Sequence, residues 1–349
     1  MKRQFPGLRG LAIILVVLNH AITISLEKSL AAGFPDAQGW VNITLIVLRS
    51  LGFVAVPIFL FISGGFFGYV AQGTPPGISY RVVWNNLKII FWPYFFWSVV
   101  FYLYVGLTQG FSGSPVEYIK HLLVGYPYNF IPLIMFFYVL APLIVRLVNR
   151  IGWLPVLLLF AIYQTLLILV VFPASHPINM PDWMDYIAPP VLATTLADWG
   201  IYFPLGLIYS TNSQKMDPLL RKFAWLTLLI AAASYGLTIL HGVRLVDIAW
   251  IRHILPLAFV LLIPLIERKM LPQVKFLEEI GKHAYGIYLQ HLLVIDGLLL
   301  VIGALLPAAR AQVIILAALG LLAGLLVPRW IMNLFSKLHQ RRLYRLLYG

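Results

Sequence analysis

Long apolar stretches alternate with short polar segments along the whole chain. Roughly 20 apolar residues carry a helix across a bilayer core of about 30 Å. On that measure the pattern predicts spans at residues 8–25, 50–71, 82–107, 129–148, 153–172, 194–210, 222–241, 249–267, 281–302 and 311–334. Unbroken runs of Leu, Ile, Val and Phe indicate helices, because a membrane barrel strand alternates apolar and polar residues. The sixth stretch is the weakest, being short and carrying Pro204 and Gly206. Residues 41–71 are too long for one ordinary span. Arg49 therefore lies either deep in a span or on an external interfacial helix. The expected fold is all-α: one polytopic transmembrane helical bundle over residues 1–349, with no appended soluble domain.

Composition sharpens that picture. The chain is 61% hydrophobic and 11% charged, where a soluble domain carries about 25% charged residues. It has no cysteine, which excludes a disulfide, a thiolate nucleophile and a cysteine-ligated metal. The polar stretch before the first span is very short and no small-residue cleavage site closes it, so that span reads as retained rather than as a signal peptide.

The net charge of +13 raises nucleic acid as a partner. Its distribution argues against that, because the cations fall in loops beside spans. Lys2, Arg3, Arg81, Arg146, Arg150, Lys215, Arg221, Lys222, Arg268, Lys269, Lys275 and Lys282 share one side if the span count is even, with Lys337, Arg341, Arg342 and Arg345. The opposite loops hold few cations and most of the loop acids. The positive-inside rule then places both termini in the cytoplasm and the chain in the inner (plasma) membrane. The basic tail at 337–345, with interleaved Leu and Tyr, reads as a topology anchor on anionic lipid.

Two ionisable residues stand out within the first span, Arg9 and His20. Eleven steps of about 100° bring both to one helix face, about 16 Å apart along the axis. Ionisable side chains inside a membrane are costly and by default face a bundle interior or wet cavity.

The residues around them resemble a known family. "FPGLRGLAIILVVLNH" (5–20) is similar to the opening helix of the membrane acyltransferase-3 family, whose signature is Arg or Lys, ten residues, then His. "VPIFLFISGGFF" (56–67), "LKIIFWPYFFWS" (87–98), "NFIPLIMFFYVLAPLI" (129–144) and "IGKHAYGIYLQH" (280–291) resemble further motifs of that family, in family order. The resemblance implies transfer of an acyl group, usually acetyl, from cytoplasmic acyl-CoA to a carbohydrate on or beyond the other face. There are departures. Arg81 and Lys88 are separated where the family has a tighter basic cluster, and Ala284 stands where Ser is usual.

Each candidate residue has two readings. His20 can take a proton from a sugar hydroxyl as the catalytic base, or it is a satisfied buried His bridging two helices. Arg9 binds phosphates of acyl-CoA, or it snorkels to lipid headgroups. Arg81 and Lys88 extend the same donor site, or they anchor topology. Ser63 and Gly64, in Ser63-Gly64-Gly65, either line a narrow acyl or pantetheine passage or let two helices approach closely. Pro57 and Pro93 are expected to kink their helices. Arg49, Tyr285, Tyr288 and His291 are candidates for an acceptor cavity, the last three as a drifting stripe on one helix side that a membrane-interface position accounts for equally well. Arg252-His253 touches glycan or headgroups, and Asp296 calls for a cationic partner.

No nucleophile elbow, metal-ligand spacing or phosphate-binding loop appears. The expected cosubstrate is acetyl-CoA or another acyl-CoA, with no metal. The expected partners are a glycan or lipid-linked saccharide and membrane lipid. The competing readings are a carrier or flippase for a lipid-linked glycan, and a structural subunit of a polysaccharide export complex. A narrow cavity joining Arg9 to His20 would discriminate between chemistry and carriage.

Overall fold

The computed structural model describes residues 4–73, 75–111, 113–176, 178, 180–337 and 341–349. Lys2, Arg3 and residues 338–340 of the basic tail lie outside the described residues. Helices account for nearly all regular structure, and no strand occurs among the described residues.

Helix α1 spans Phe5–Ala31, with Pro6 in its first turn, where a missing backbone N–H costs nothing. Helix α2 (Gly39–Leu51) leads through a 3-10 turn at Gly52–Val54 into α3 (Ala55–Val70). Pro57 cannot donate to the carbonyl four residues back, which is where the helix changes to the tighter winding. Residues 39–70 thus form one long broken element of 32 residues. Helix α4 (Tyr80–Gln109) runs through Pro93 without interruption. Helix α5 (Pro115–Val124) is a short surface helix with a Ser114–Glu117 capping box. Helices α6 (Phe130–Ile151) and α7 (Trp153–Val171) follow, with only Gly152 between them.

The sixth predicted span is not one helix. It divides into α8 (Ala193–Trp199) and α9 (Tyr202–Thr211), broken at Gly200 and Ile201. Helix α10 (Ser213–Lys222) is amphipathic and precedes α11 (Ala224–Gly242). The eighth predicted span is α12 (Ile251–Leu262), closed by a 3-10 turn at Ile263–Leu265 that contains Pro264. An amphipathic helix, α13 (Val274–Lys282), then precedes α14 (Ala284–Leu305) and α15 (Val313–Lys337). The chain ends in α16 (Arg341–Tyr348).

Eight of these elements are long and apolar enough to cross a membrane, and Ile251–Leu265 is a shorter apolar segment. Their outer faces stay apolar: Leu107, Ile162, Leu228, Leu305 and Leu322 are all exposed. A water-soluble surface does not carry apolar area on that scale, whereas lipid tails accept it. The protein is a multi-pass, all-helical membrane protein.

Glycines set the closest crossings. A Cβ on Gly64 of α3 would lie 2.0 Å from the Phe203 carbonyl oxygen, and one on Gly206 of α9 would lie 1.9 Å from that of Phe61. The same device joins α1 to α13, where a Cβ on Gly10 would lie 1.9 Å from the Leu277 carbonyl oxygen. Between apolar helices in lipid, van der Waals contact drives association, so such backbone approach is stabilising. Helix α1 is the hub: it packs on α3, α13, α14 and α15, and its residues Leu8, Ala12, Ile13 and Val17 are fully buried.

Candidate active site at the junction of two cavities

Two cavities open along α1. The first, about 560 Å³, takes Arg9 from α1, Ser63 from α3, Asn86 from α4, Tyr138 from α6 and Lys282 with Tyr285 from the start of α14 and the helix before it. The second, about 270 Å³, takes Asn19 and His20 from α1, Asn129 from the start of α6, Asp198 from α8, and Arg252 with His253 from α12. The broken sixth element matters here. Because α8 stops at Trp199, its last turn presents Asp198 and Trp199 to the cavity.

Phe130 and Tyr288 line both cavities. Their rings meet edge to face with centroids 4.5 Å apart, a favourable aromatic geometry. Each is almost fully buried, and Phe59 stacks on Phe130 at 6.0 Å. The pair is thus an aromatic partition shared by the two cavities, Arg9 lining one and His20 the other. A single narrow cavity joining Arg9 to His20, which would discriminate chemistry from carriage, is not what the structure has: Arg9 and His20 line two cavities that share Phe130 and Tyr288.

Arg9 reaches into the first cavity beside Tyr138. No carboxylate among the described residues pairs with it. An unpaired guanidinium in a cavity presents its donor fork to an incoming anion. His20 opens into the second cavity, and its ring faces His291 at a centroid separation of 5.1 Å. Asp198 lies 3.8 Å from both Arg252 Nη2 and His253 Nδ1. Those are ion-pair separations without hydrogen bonds, so the carboxylate oxygens remain available to a ligand. The Arg252 guanidinium lies 4.5 Å over the Phe172 ring, which holds it in place.

Several predicted site residues stand elsewhere. Arg81 and Lys88 line neither cavity. Both are exposed, and Lys88 lies 5.3 Å over the Trp84 ring. The cation that joins Arg9 at the first cavity is Lys282. Ser63 lines that cavity, but Gly64 turns to the opposite side of α3 and packs on α9. Arg49 is exposed at the end of α2, within electrostatic range of His20 but not on the wall. The α14 stripe drifts as its three-residue steps dictate: Tyr285 faces the first cavity, Tyr288 faces both, and His291 is fully buried behind them. Tyr285 and His291 therefore do not line the second cavity. Asp296 finds its cation in Lys28 at 2.7 Å and a hydrogen bond from Tyr104 at 2.6 Å.

Sequence reasoning missed Phe130, Asp198 and Tyr348. Phe130 sits inside a quoted motif but reads as one more apolar residue. Asp198 was a detectable signal, an acid within an apolar stretch. Tyr348 lies three residues beyond the basic tail at 337–345, where nothing in the sequence gives it a role. Helix α16 folds back on α4: Leu347 and Tyr348 are buried, Trp97 Nε1 donates to the Leu347 carbonyl at 2.9 Å, and Tyr348 lines the first cavity.

The fold and these cavities define a helical membrane protein with two internal cavities along its first helix. The family model described as an acyltransferase domain matches residues 4–332. The chain belongs to this membrane acyltransferase-3 family. No curated relative and no solved structure matches it.

Proposed function

We propose that this membrane acyltransferase moves an acyl group, acetyl in the first instance, from acyl-CoA to a hydroxyl of a cell-envelope or exported glycan. The observation that carries the proposal is the pair of cavities, one with an unpaired Arg9 and one with His20, meeting at Phe130 and Tyr288. Acyl-CoA is polyanionic at one end and carries its thioester on a slender arm. Arg9 and Lys282 suit the anionic end, and the arm reaches the partition. The acceptor enters the second cavity, where Asp198, Asn19 and Asn129 offer hydrogen-bond partners to hydroxyls.

In this reading the acceptor oxygen attacks the thioester carbonyl carbon while His20 takes the hydroxyl proton. The C–S bond breaks as the ester forms. The CoA thiolate leaves and takes up a proton, which returns His20 to its neutral form. A carrier for a lipid-linked saccharide is the competing reading, and the match to an acyltransferase domain over residues 4–332 favours chemistry over it.

The cation distribution supports an inner-membrane orientation with both termini in the cytoplasm, which puts the Arg9 cavity on the acyl-CoA side. A reporter fused after Gly349 that is active only outside the cytoplasm would reverse that assignment. The chemistry is tested by His20→Ala and His20→Gln in purified protein. Both are expected to fold and bind acyl-CoA, yet transfer acyl groups at least about a hundredfold more slowly. Gln can hydrogen-bond but cannot accept the proton, so it should not rescue. Near-wild-type turnover in His20→Ala removes the proposed base.

A further inference from the structure

His291 is one of the buried polar residues with a side-chain atom left without a partner. Its Nδ1 lies 2.6 Å from the Tyr288 carbonyl oxygen, three residues back on α14. A carbonyl only accepts, so in the neutral ring Nδ1 carries the proton and Nε2 holds a lone pair. The side chain is fully buried and Nε2 has no hydrogen-bond partner. Buried polar atoms are nearly always paired, and an exception asks for a reason.

The ring next to it is His20, with centroids 5.1 Å apart and planes inclined by 51°. Two imidazoles joined end to end by an N–H···N bond of about 2.9 Å have centroids roughly 5 Å apart. The observed centroid separation is that of such a pair. Among the described residues no carboxylate pairs with either ring: Asp198 lines the second cavity with His20, but the partners it approaches, at 3.8 Å, are Arg252 and His253.

We propose that His291 is a positioning residue for His20: its Nε2 lone pair receives the N–H of His20 and leaves the other His20 nitrogen unprotonated and turned to the second cavity. The Tyr288 carbonyl fixes the tautomer of His291, and His291 in turn fixes that of His20. A neutral imidazole does this without placing a further charge inside the membrane, where a charge is costly. When His20 takes the acceptor's proton it becomes an imidazolium. Its original N–H stays bonded to His291, and the new proton later passes to the departing thiolate. The assignment rests on the proposed role of His20 as base, but its first test does not.

That test is the 15N spectrum of histidine-labelled protein without substrate, with His20 assigned by the signals lost in His20→Gln. The wild type should show His20 as one neutral tautomer, with one nitrogen protonated and one bare. His291→Phe keeps an aromatic ring but removes the acceptor, and should average the two nitrogens. If that variant fails to fold, His291→Asn serves the same comparison, because its shorter amide does not reach the Nε2 position. The second readout is CoA release from acetyl-CoA followed with a thiol reagent, to which a cysteine-free chain contributes no background. His291→Phe should lower kcat at least about tenfold with KM for acetyl-CoA unchanged, and His291→Gln should recover part of it. An averaged His20 tautomer in the wild type, or unchanged spectra and kcat in His291→Phe, overturns the proposal. A fixed tautomer together with a fully active His20→Ala would leave the pairing standing and remove the catalytic reading instead.

Discussion

Gly64→Ala separates the two readings of the Ser63-Gly64-Gly65 segment. The added Cβ would lie 2.0 Å from the Phe203 carbonyl oxygen and 2.9 Å from the Leu207 nitrogen. Real Cβ contacts essentially never fall below 3.0 Å, so α3 and α9 must part by about 1 Å at this point (3.0 − 2.0). The obstacle is backbone, which has no rotamer to escape into. Overpacking of this kind costs about 1–3 kcal/mol, and a rigid partner places it near 3. Alanine returns about 1 kcal/mol through helix propensity. The net loss is then about 2 kcal/mol, or a Tm lower by about 4–8 °C at roughly 2–4 °C per kcal/mol. Gly236→Ala on α11 is the internal control: nothing lies within 4 Å of its added Cβ, so its Tm should hold or rise. Thermal unfolding of purified protein in detergent is the assay. A Gly64→Ala protein with unchanged Tm but impaired acyl-CoA turnover would refute the packing argument and restore Gly64 to the acyl passage.

Two further outcomes follow from the geometry. Asp296→Ala leaves Lys28 without its 2.7 Å partner and Tyr104 without its acceptor; a partly buried charge left unpaired should cost about 3 kcal/mol, read as a lower Tm, while Tyr104→Phe should cost about half as much. Phe130→Ala removes half of the aromatic partition, so a cysteine introduced at Asn19 in the cysteine-free chain should react with an impermeant thiol reagent from one membrane face in wild-type background and from both faces in Phe130→Ala. Labelling from a single face in both backgrounds would show that Phe130 does not divide the cavities.

The sequence by itself determined the class of molecule. Hydrocarbon accepts no unpaired backbone group, so long apolar runs without strand alternation had to become membrane helices. Eight of the predicted spans correspond to elements long and apolar enough to cross a membrane, and the motif order led to the family that the matched residues confirm. The phase of Arg9 with His20 was legible because both lie on one helix, where periodicity alone sets direction. The small residues at 63–65 announced a close approach but not its partner.

Tertiary structure decided everything that depends on two helices at once. Apolar periodicity cannot separate a lipid-facing residue from a core one when both surroundings are hydrocarbon. It therefore gave no warning that Phe130 and Tyr288 would meet, that Lys88 would lie exposed over Trp84, or that Tyr348 would close a cavity wall. Those outcomes follow from where glycine crossings such as Gly64 on Phe203 and Gly10 on Leu277 lock the rotation of one helix against another. The division of the site into two chambers comes from the same source. Helix α6 begins at the partition and α8 ends at the second cavity, and only long-range packing sets those depths.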